Sequence, residues 1–62
     1  MEIPIELKDK MIEQRLNQYR QQIFTLQMDK VALESVGNTA EAEKAQKSID
    51  DLEKAFAAIE VM

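Results

Sequence analysis

Hydrophobic residues recur along this chain at alternating spacings of three and four, the pattern of amphipathic helices that pack along one face. In the first half, polar Asp9 and Lys30 interrupt the pattern. Its apolar members there are Ile5, Ile12, Leu16, Tyr19, Ile23, Leu26 and Leu33. In the second half, the members are Ala42, Ala45, Ile49, Leu52, Phe56 and Ile59. These two seams predict two long helices and an all-α fold.

The positions of the helix-breaking residues divide the chain. Pro4 is the single proline and is tolerated in the first turn of a helix, whereas Gly37 is the single glycine and can end one in the left-handed conformation. Asn38 has capping-box spacing to Glu41. We therefore expect one domain over residues 1–62, with helix 1 over about 4–36, a turn at 37–38 and helix 2 over about 39–60.

The two seams do not share one heptad frame. Continuing the first seam through Gly37 would bury a set of charged residues: Lys44, Lys47, Asp51 and Lys54. The chain should instead fold back into an antiparallel, coiled-coil-like two-helix hairpin. In such a hairpin, the residue numbers of two facing residues always add up to the same total. A total of 75 aligns the two seams, from the pair of Leu33 and Ala42 near the turn to the pair of Leu16 and Ile59 near the open end. On the flank, Arg20 would face Glu53.

Composition excludes several kinds of site. The 62 residues contain no cysteine and no histidine, so disulfides, Cys/His zinc sites and nucleophile–histidine pairs are impossible. The net charge of -4 makes the chain a poor ligand for phosphates, and we expect no nucleic-acid partner. With neither a phosphate-binding loop nor a metal-binding motif, we expect no cofactor, no metal site and no enzymatic activity.

The apolar residues are too interrupted to span a membrane, which needs about 20 in succession. Residues 1–5 lack the basic start and apolar core of a signal peptide. We therefore expect a cytoplasmic protein with no membrane partner.

The hairpin leaves two apolar surfaces over. Helix 1 is longer than helix 2, so its N-terminal end should project as an overhang that helix 2 cannot cover. The overhang residues are Ile3, Ile5, Leu7, Met11 and Ile12. A second surface, here the Phe24 stripe, consists of Phe24, Met28 and Val31 and lies away from the seam. A helix that is apolar on two sides is normally covered on two sides.

Two occupants are consistent with these surfaces. A second copy of the chain would complete a homodimeric four-helix bundle or a higher oligomer. A different protein could instead bind the overhang and the Phe24 stripe. We expect a non-enzymatic protein–protein interaction module, an adaptor, inhibitor or chaperone-like hairpin that binds itself and another protein. The alternative is a structural or assembly component of a phage or bacterial particle.

Overall fold

The computed structural model describes residues 4–62, which form two α-helices packed against each other and no strand. Helix α1 runs Ile5–Ser35 and helix α2 runs Thr39–Glu60. The molecule is a rod with extents of 52 × 15 × 15 Å, as expected for two adjacent helices. The predicted all-α fold and the two-helix hairpin are confirmed.

The predicted seams are the surfaces that the helices bury. Within residues 4–62, the side chains closest to full burial are Leu16, Ala42, Ala45 and Ile49. The other members of the two seams from Ile12 to Leu33 and from Leu52 to Ile59 are half-buried, and Gln46 and Ala55 join them. Ile5 is exposed, because α2 ends at Glu60 and does not extend to the position opposite Ile5. The hairpin core is thus a single thin layer of side chains.

Direct contacts between the helices give the register. The Nζ of Lys30 donates a hydrogen bond to Oε1 of Gln46 over 2.6 Å. Further along, the guanidinium of Arg20 lies 5.1 Å from the centre of the Phe56 ring. The residue numbers total 76 in each pair, one away from the predicted sum, whereas a heptad displacement would change the total by seven. The contacts therefore exclude a heptad displacement and agree with the predicted antiparallel register to within one residue.

Lys30 shows how a cation is accommodated in the seam. Its side chain is one-third exposed, and its ammonium lies 3.9 Å from the Glu34 carboxylate. The sequence predicts that the ammonium reaches water, but the structure also pairs it with Gln46 across the interface. Nε2 of Gln46 donates in turn to Oδ1 of Asp50 over 2.8 Å. The polar groups at this edge of the seam therefore satisfy one another.

The turn ends α1 in a Schellman motif. The N–H of Gly37 donates to the carbonyl of Glu34 over 3.1 Å, and the N–H of Asn38 donates to the carbonyl of Leu33 over 2.9 Å. These are the two bonds of that motif, which requires a left-handed residue at the position of Gly37. Gly37 has a φ of +78°. The helix end predicted from this glycine is confirmed.

Asn38 caps α2, as its spacing to Glu41 predicts. Oδ1 of Asn38 accepts a hydrogen bond from the backbone N–H of Glu41 over 3.4 Å. The reciprocal bond of a capping box does not form, because the N–H of Asn38 is already bound to Leu33. The Glu41 carboxylate pairs instead with Nζ of Lys44 at 3.2 Å.

Both ends of α1 differ by one residue from the prediction. Pro4 is the N-cap residue rather than a member of the first turn, with a φ of -54° and a ψ of 142°, and its carbonyl accepts the N–H of Lys8 over 2.9 Å. Val36 is the C-cap residue. Proline has no side-chain acceptor, so α1 begins without a side-chain cap.

Replacing Gly37 tests the left-handed turn. We expect Gly37→Ala to lower the free energy of unfolding by about 1–2 kcal/mol, because an L-residue is strained at this φ. Apart from Gly37 and its two chain neighbours, no residue has an atom within 4 Å of where the new Cβ would be, so the loss arises from the backbone alone. Gly37→Asn should lose less, since asparagine tolerates this conformation better. Urea unfolding followed by circular dichroism measures both; an alanine variant as stable as the parent would contradict the expectation.

Candidate protein-interaction surfaces

The Phe24 stripe is exposed on α1. Its members are spaced by four and three residues, so they lie one above the other on the same helix face. The exposed fractions are 61% for Phe24, 51% for Met28 and 68% for Val31. Side chains of this size gain about 2 kcal/mol each when fully removed from water. The stripe is thus a surface whose burial would stabilise a complex.

A groove between the two helices borders the Phe24 stripe. It is lined by Arg20, Ile23, Phe24, Gln27, Glu53 and Phe56. The floor is apolar, formed by Ile23 and the Phe56 ring, and the rim carries charges of both signs. An apolar side chain of a bound helix would fit the floor, with polar neighbours at the rim.

Arg20 is held in place at the rim of this groove. Its guanidinium lies over the Phe56 ring, and Nη1 donates a hydrogen bond to Oδ1 of Asn17 over 2.7 Å. The sequence predicts that Arg20 faces Glu53 on the flank, and both residues do line this groove. The direct contacts of Arg20, however, are with the Phe56 ring and the Asn17 side-chain amide. A guanidinium has five N–H donors, so several remain for a partner.

Helix α2 covers part of the overhang and leaves the rest exposed. Ile5 is 78% exposed, Leu7 48% and Met11 52%. Ile12 is half-buried, which corrects the expectation that nothing in the same hairpin covers it. Ile12 lies at a cleft with Ile59 of α2, so it belongs to the intramolecular seam. Ile3 lies outside the described residues.

That cleft is a surface of its own at the open end of the hairpin. Its lining residues are Lys8, Met11, Ile12, Arg15, Ile59 and Met62. The C-terminal end of the chain reaches the cleft because the N–H of Met62 donates to the carbonyl of Ile59 over 3.1 Å, continuing the path of α2. Two cations at the rim of an apolar cleft suit an apolar side chain with a neighbouring carboxylate.

The Phe24 stripe and the cleft at the open end lie on different sides of the hairpin. At about 100° per residue, Phe24 lies on one side of the α1 seam and Met11 on the other. Consistent with this, the Phe24 groove is shared with Glu53 of α2, whereas the cleft is shared with Ile59 and Met62. One partner can therefore occupy one surface without blocking the other.

Sequence reasoning predicted the apolar members of these surfaces but missed their charged rims. Lys8 and Arg15 flank Met11 at spacings of three and four residues, a pattern that places all three on one face. This spacing was the available signal. The position of Arg20 over Phe56 had no such signal, because it depends on how far each side chain reaches across the hairpin.

Within residues 4–62, no group of three or more carboxylates comes together as a metal ion would require. Over the same residues, neither helix combines the length and the apolar character that crossing a bilayer demands. No buried side-chain nitrogen or oxygen in this part of the chain lacks a hydrogen-bond partner.

Comparison of the chain with protein-family models, with curated proteins and with solved structures gives no match.

Proposed function

We propose that this chain is a non-enzymatic protein–protein interaction module, a self-associating helical hairpin that also presents apolar helix faces to another protein. The observation that carries the proposal is the amount of exposed surface. The accessible area is 5082 Å² for a chain of 7.1 kDa. A compact monomer of that mass exposes about 4,100 Å².

The difference between these two exposed areas is as large as a typical binding surface. It amounts to roughly 1,000 Å², and each partner in a stable protein complex of standard size contributes about 800 Å². A rod of two helices cannot bury this area by itself because each helix has one neighbour. Covering one flank of the rod with another helix pair would remove part of this excess from water.

The thin core supports the same proposal. Two of the four most buried residues, Ala42 and Ala45, have small side chains, which leaves Leu16 and Ile49 as the large ones. Domains of about 60 residues are marginally stable even when compact. Association that buries further apolar side chains would stabilise the folded hairpin by mass action.

Binding of a second protein would use the mode in which an amphipathic helix lies in an apolar groove. The overhang, with Leu7 and Met11, could supply the helix face to a groove of the partner. Alternatively, the open-end cleft could supply the groove for a helix of the partner. Adaptor, inhibitor and chaperone-like roles all require a surface of this kind. The methionines at positions 11 and 28 suit binding to varied partners, because their side chains adapt in shape.

Sedimentation equilibrium tests self-association. We expect a mass of twice 7.1 kDa at micromolar concentration, falling toward the monomer on dilution. The midpoint of thermal unfolding should rise with protein concentration, because folding and association are coupled. A mass of 7.1 kDa across the range, with an unchanged midpoint, would contradict self-association.

One observation favours a second candidate function, a structural or assembly component of a phage or bacterial particle. The Phe24 stripe and the open-end cleft lie on different sides of the hairpin, so each copy has two non-overlapping apolar surfaces. Head-to-tail contacts between unlike surfaces form rings or open filaments rather than closed dimers. The same sedimentation experiment separates the candidates, since an assembly component would form species much larger than a dimer.

A further inference from the structure

We propose that the Phe24 stripe is covered by the same stripe of a second copy, with the two α1 helices antiparallel and Gln27 and Met28 at the two-fold axis. In this arrangement, facing residues of the two copies have positions that sum to 55. The inference rests on the proposed self-association and specifies its interface.

The chemistry of the surrounding surface selects α1 as the occupant. An apolar stripe requires an apolar counterpart of similar length. On the same flank of the hairpin, α2 presents Gln46, Asp50 and Glu53, whose amide and carboxylates would be desolvated against Phe24 at a cost. A second α1 presents Phe24, Met28 and Val31 instead. The stripe of a second copy is therefore an apolar counterpart of the same length.

Charge selects the direction. On the face of α1 that carries the stripe, Arg20 precedes the stripe and Glu34 follows it. Parallel pairing would place Arg20 against Arg20 and Glu34 against Glu34, and like charges at an interface repel. Antiparallel pairing brings Arg20 of one copy beside Glu34 of the other. It also places the large Phe24 ring opposite the smaller Val31.

Both charged groups are available for such a pair. The Glu34 side chain is 53% exposed, and its carboxylate is 3.9 Å from Nζ of Lys30, a loose contact that leaves room for a guanidinium. Arg20 is already oriented by the Phe56 ring and by Asn17. An arginine held in place loses less side-chain entropy when it binds a carboxylate.

The arrangement closes on itself. A two-fold interface uses the same patch on both copies, so each contact between Phe24 and Val31 and each pair of Arg20 and Glu34 occurs twice. The overhang lies outside the overlap, which covers residues 20–35 of each α1. The open-end cleft remains free on both copies, so the dimer offers two equivalent places for another protein.

Single cysteine substitutions test the arrangement, because the chain contains no cysteine of its own. The Met28→Cys variant should form a disulfide-linked dimer in a glutathione redox buffer, since the two introduced thiols lie at the axis. Phe24→Cys alone should not, because its equivalent in the second copy is seven residues away, about 10 Å along the helix and beyond disulfide reach. Phe24→Cys mixed with Val31→Cys should give the mixed dimer.

The control is Gln22→Cys, an exposed position on another face of α1. Its linked fraction reports random collision, and Met28→Cys should exceed it by about tenfold or more, because association raises the effective thiol concentration. Linking of Phe24→Cys with itself, without linking to Val31→Cys, would show parallel pairing and overturn the inference.

The inference and the proposed function can fail separately. If sedimentation shows a dimer but Met28→Cys links no better than Gln22→Cys, the interface lies elsewhere and self-association stands. A chain that stays monomeric at every concentration overturns both the interface and self-association.

Discussion

Replacing Ile49 with alanine should remove a large part of the free energy of unfolding of this protein. Ile49 is only 3% exposed, the lowest value among the core residues. Removing a buried isoleucine side chain costs about 2–5 kcal/mol, because the transfer free energy is lost and a cavity remains. A 62-residue chain has a total stability of roughly 3–9 kcal/mol at typical values per residue. Urea unfolding followed by far-ultraviolet circular dichroism measures the change.

Ile5→Ala provides a matched control. The same atoms are removed from a helical isoleucine, here at the first residue of α1. Ile5 is 78% exposed, so its loss should change the free energy of unfolding by about 0.5 kcal/mol or less. Equal losses from the two variants would show that the seam is not where the stability resides.

Phe24→Asp should abolish self-association while leaving the hairpin folded. Phe24 is 61% exposed in the single chain, so folding depends little on it. At the proposed interface, the substitution removes a large aromatic contact and places a carboxylate where water is excluded. Because both copies of the dimer carry the substitution, we expect the dimer dissociation constant to rise roughly 1,000-fold. Sedimentation equilibrium measures the dissociation constant, and circular dichroism at high protein concentration measures the helix content.

The matched control is Gln22→Asp, which adds the same charge at an exposed position of α1 two residues away. Its dissociation constant should stay close to that of the parent. Leu7→Asp places the same charge on the overhang, outside the proposed overlap. If Leu7→Asp dissociates the protein and Phe24→Asp does not, self-association uses the overhang instead of the Phe24 stripe.

Much of the fold could be predicted because the determining signals are local. The alternation of three and four predicts which side of each helix is buried, since helix geometry converts spacing directly into direction. Gly37 and Asn38 predict the turn because their backbone preferences act within a few residues. Once two helices and a tight turn are set, the antiparallel register follows from matching the seams.

The apolar part of the candidate surfaces could be predicted for the same reason. Phe24, Met28 and Val31 lie off the seam by helix geometry alone, and the structure leaves them exposed. The charged rims were missed, because a cation near a cleft is recognisable only when the walls of the cleft are known. Lys8 and Arg15 border a cleft only because Ile59 and Met62, which are distant in sequence, form its other wall.

The sequence by itself therefore determined the two helices, their buried faces, the turn and the register, because each depends on spacing within one helix or on one backbone conformation. Only the tertiary structure decided that Ile12 is covered at the open end, that Arg20 lies over Phe56, and that Lys30 binds Gln46. These contacts depend on the relative rotation of two helices and on the reach of long side chains. Neither quantity is a function of spacing along the chain.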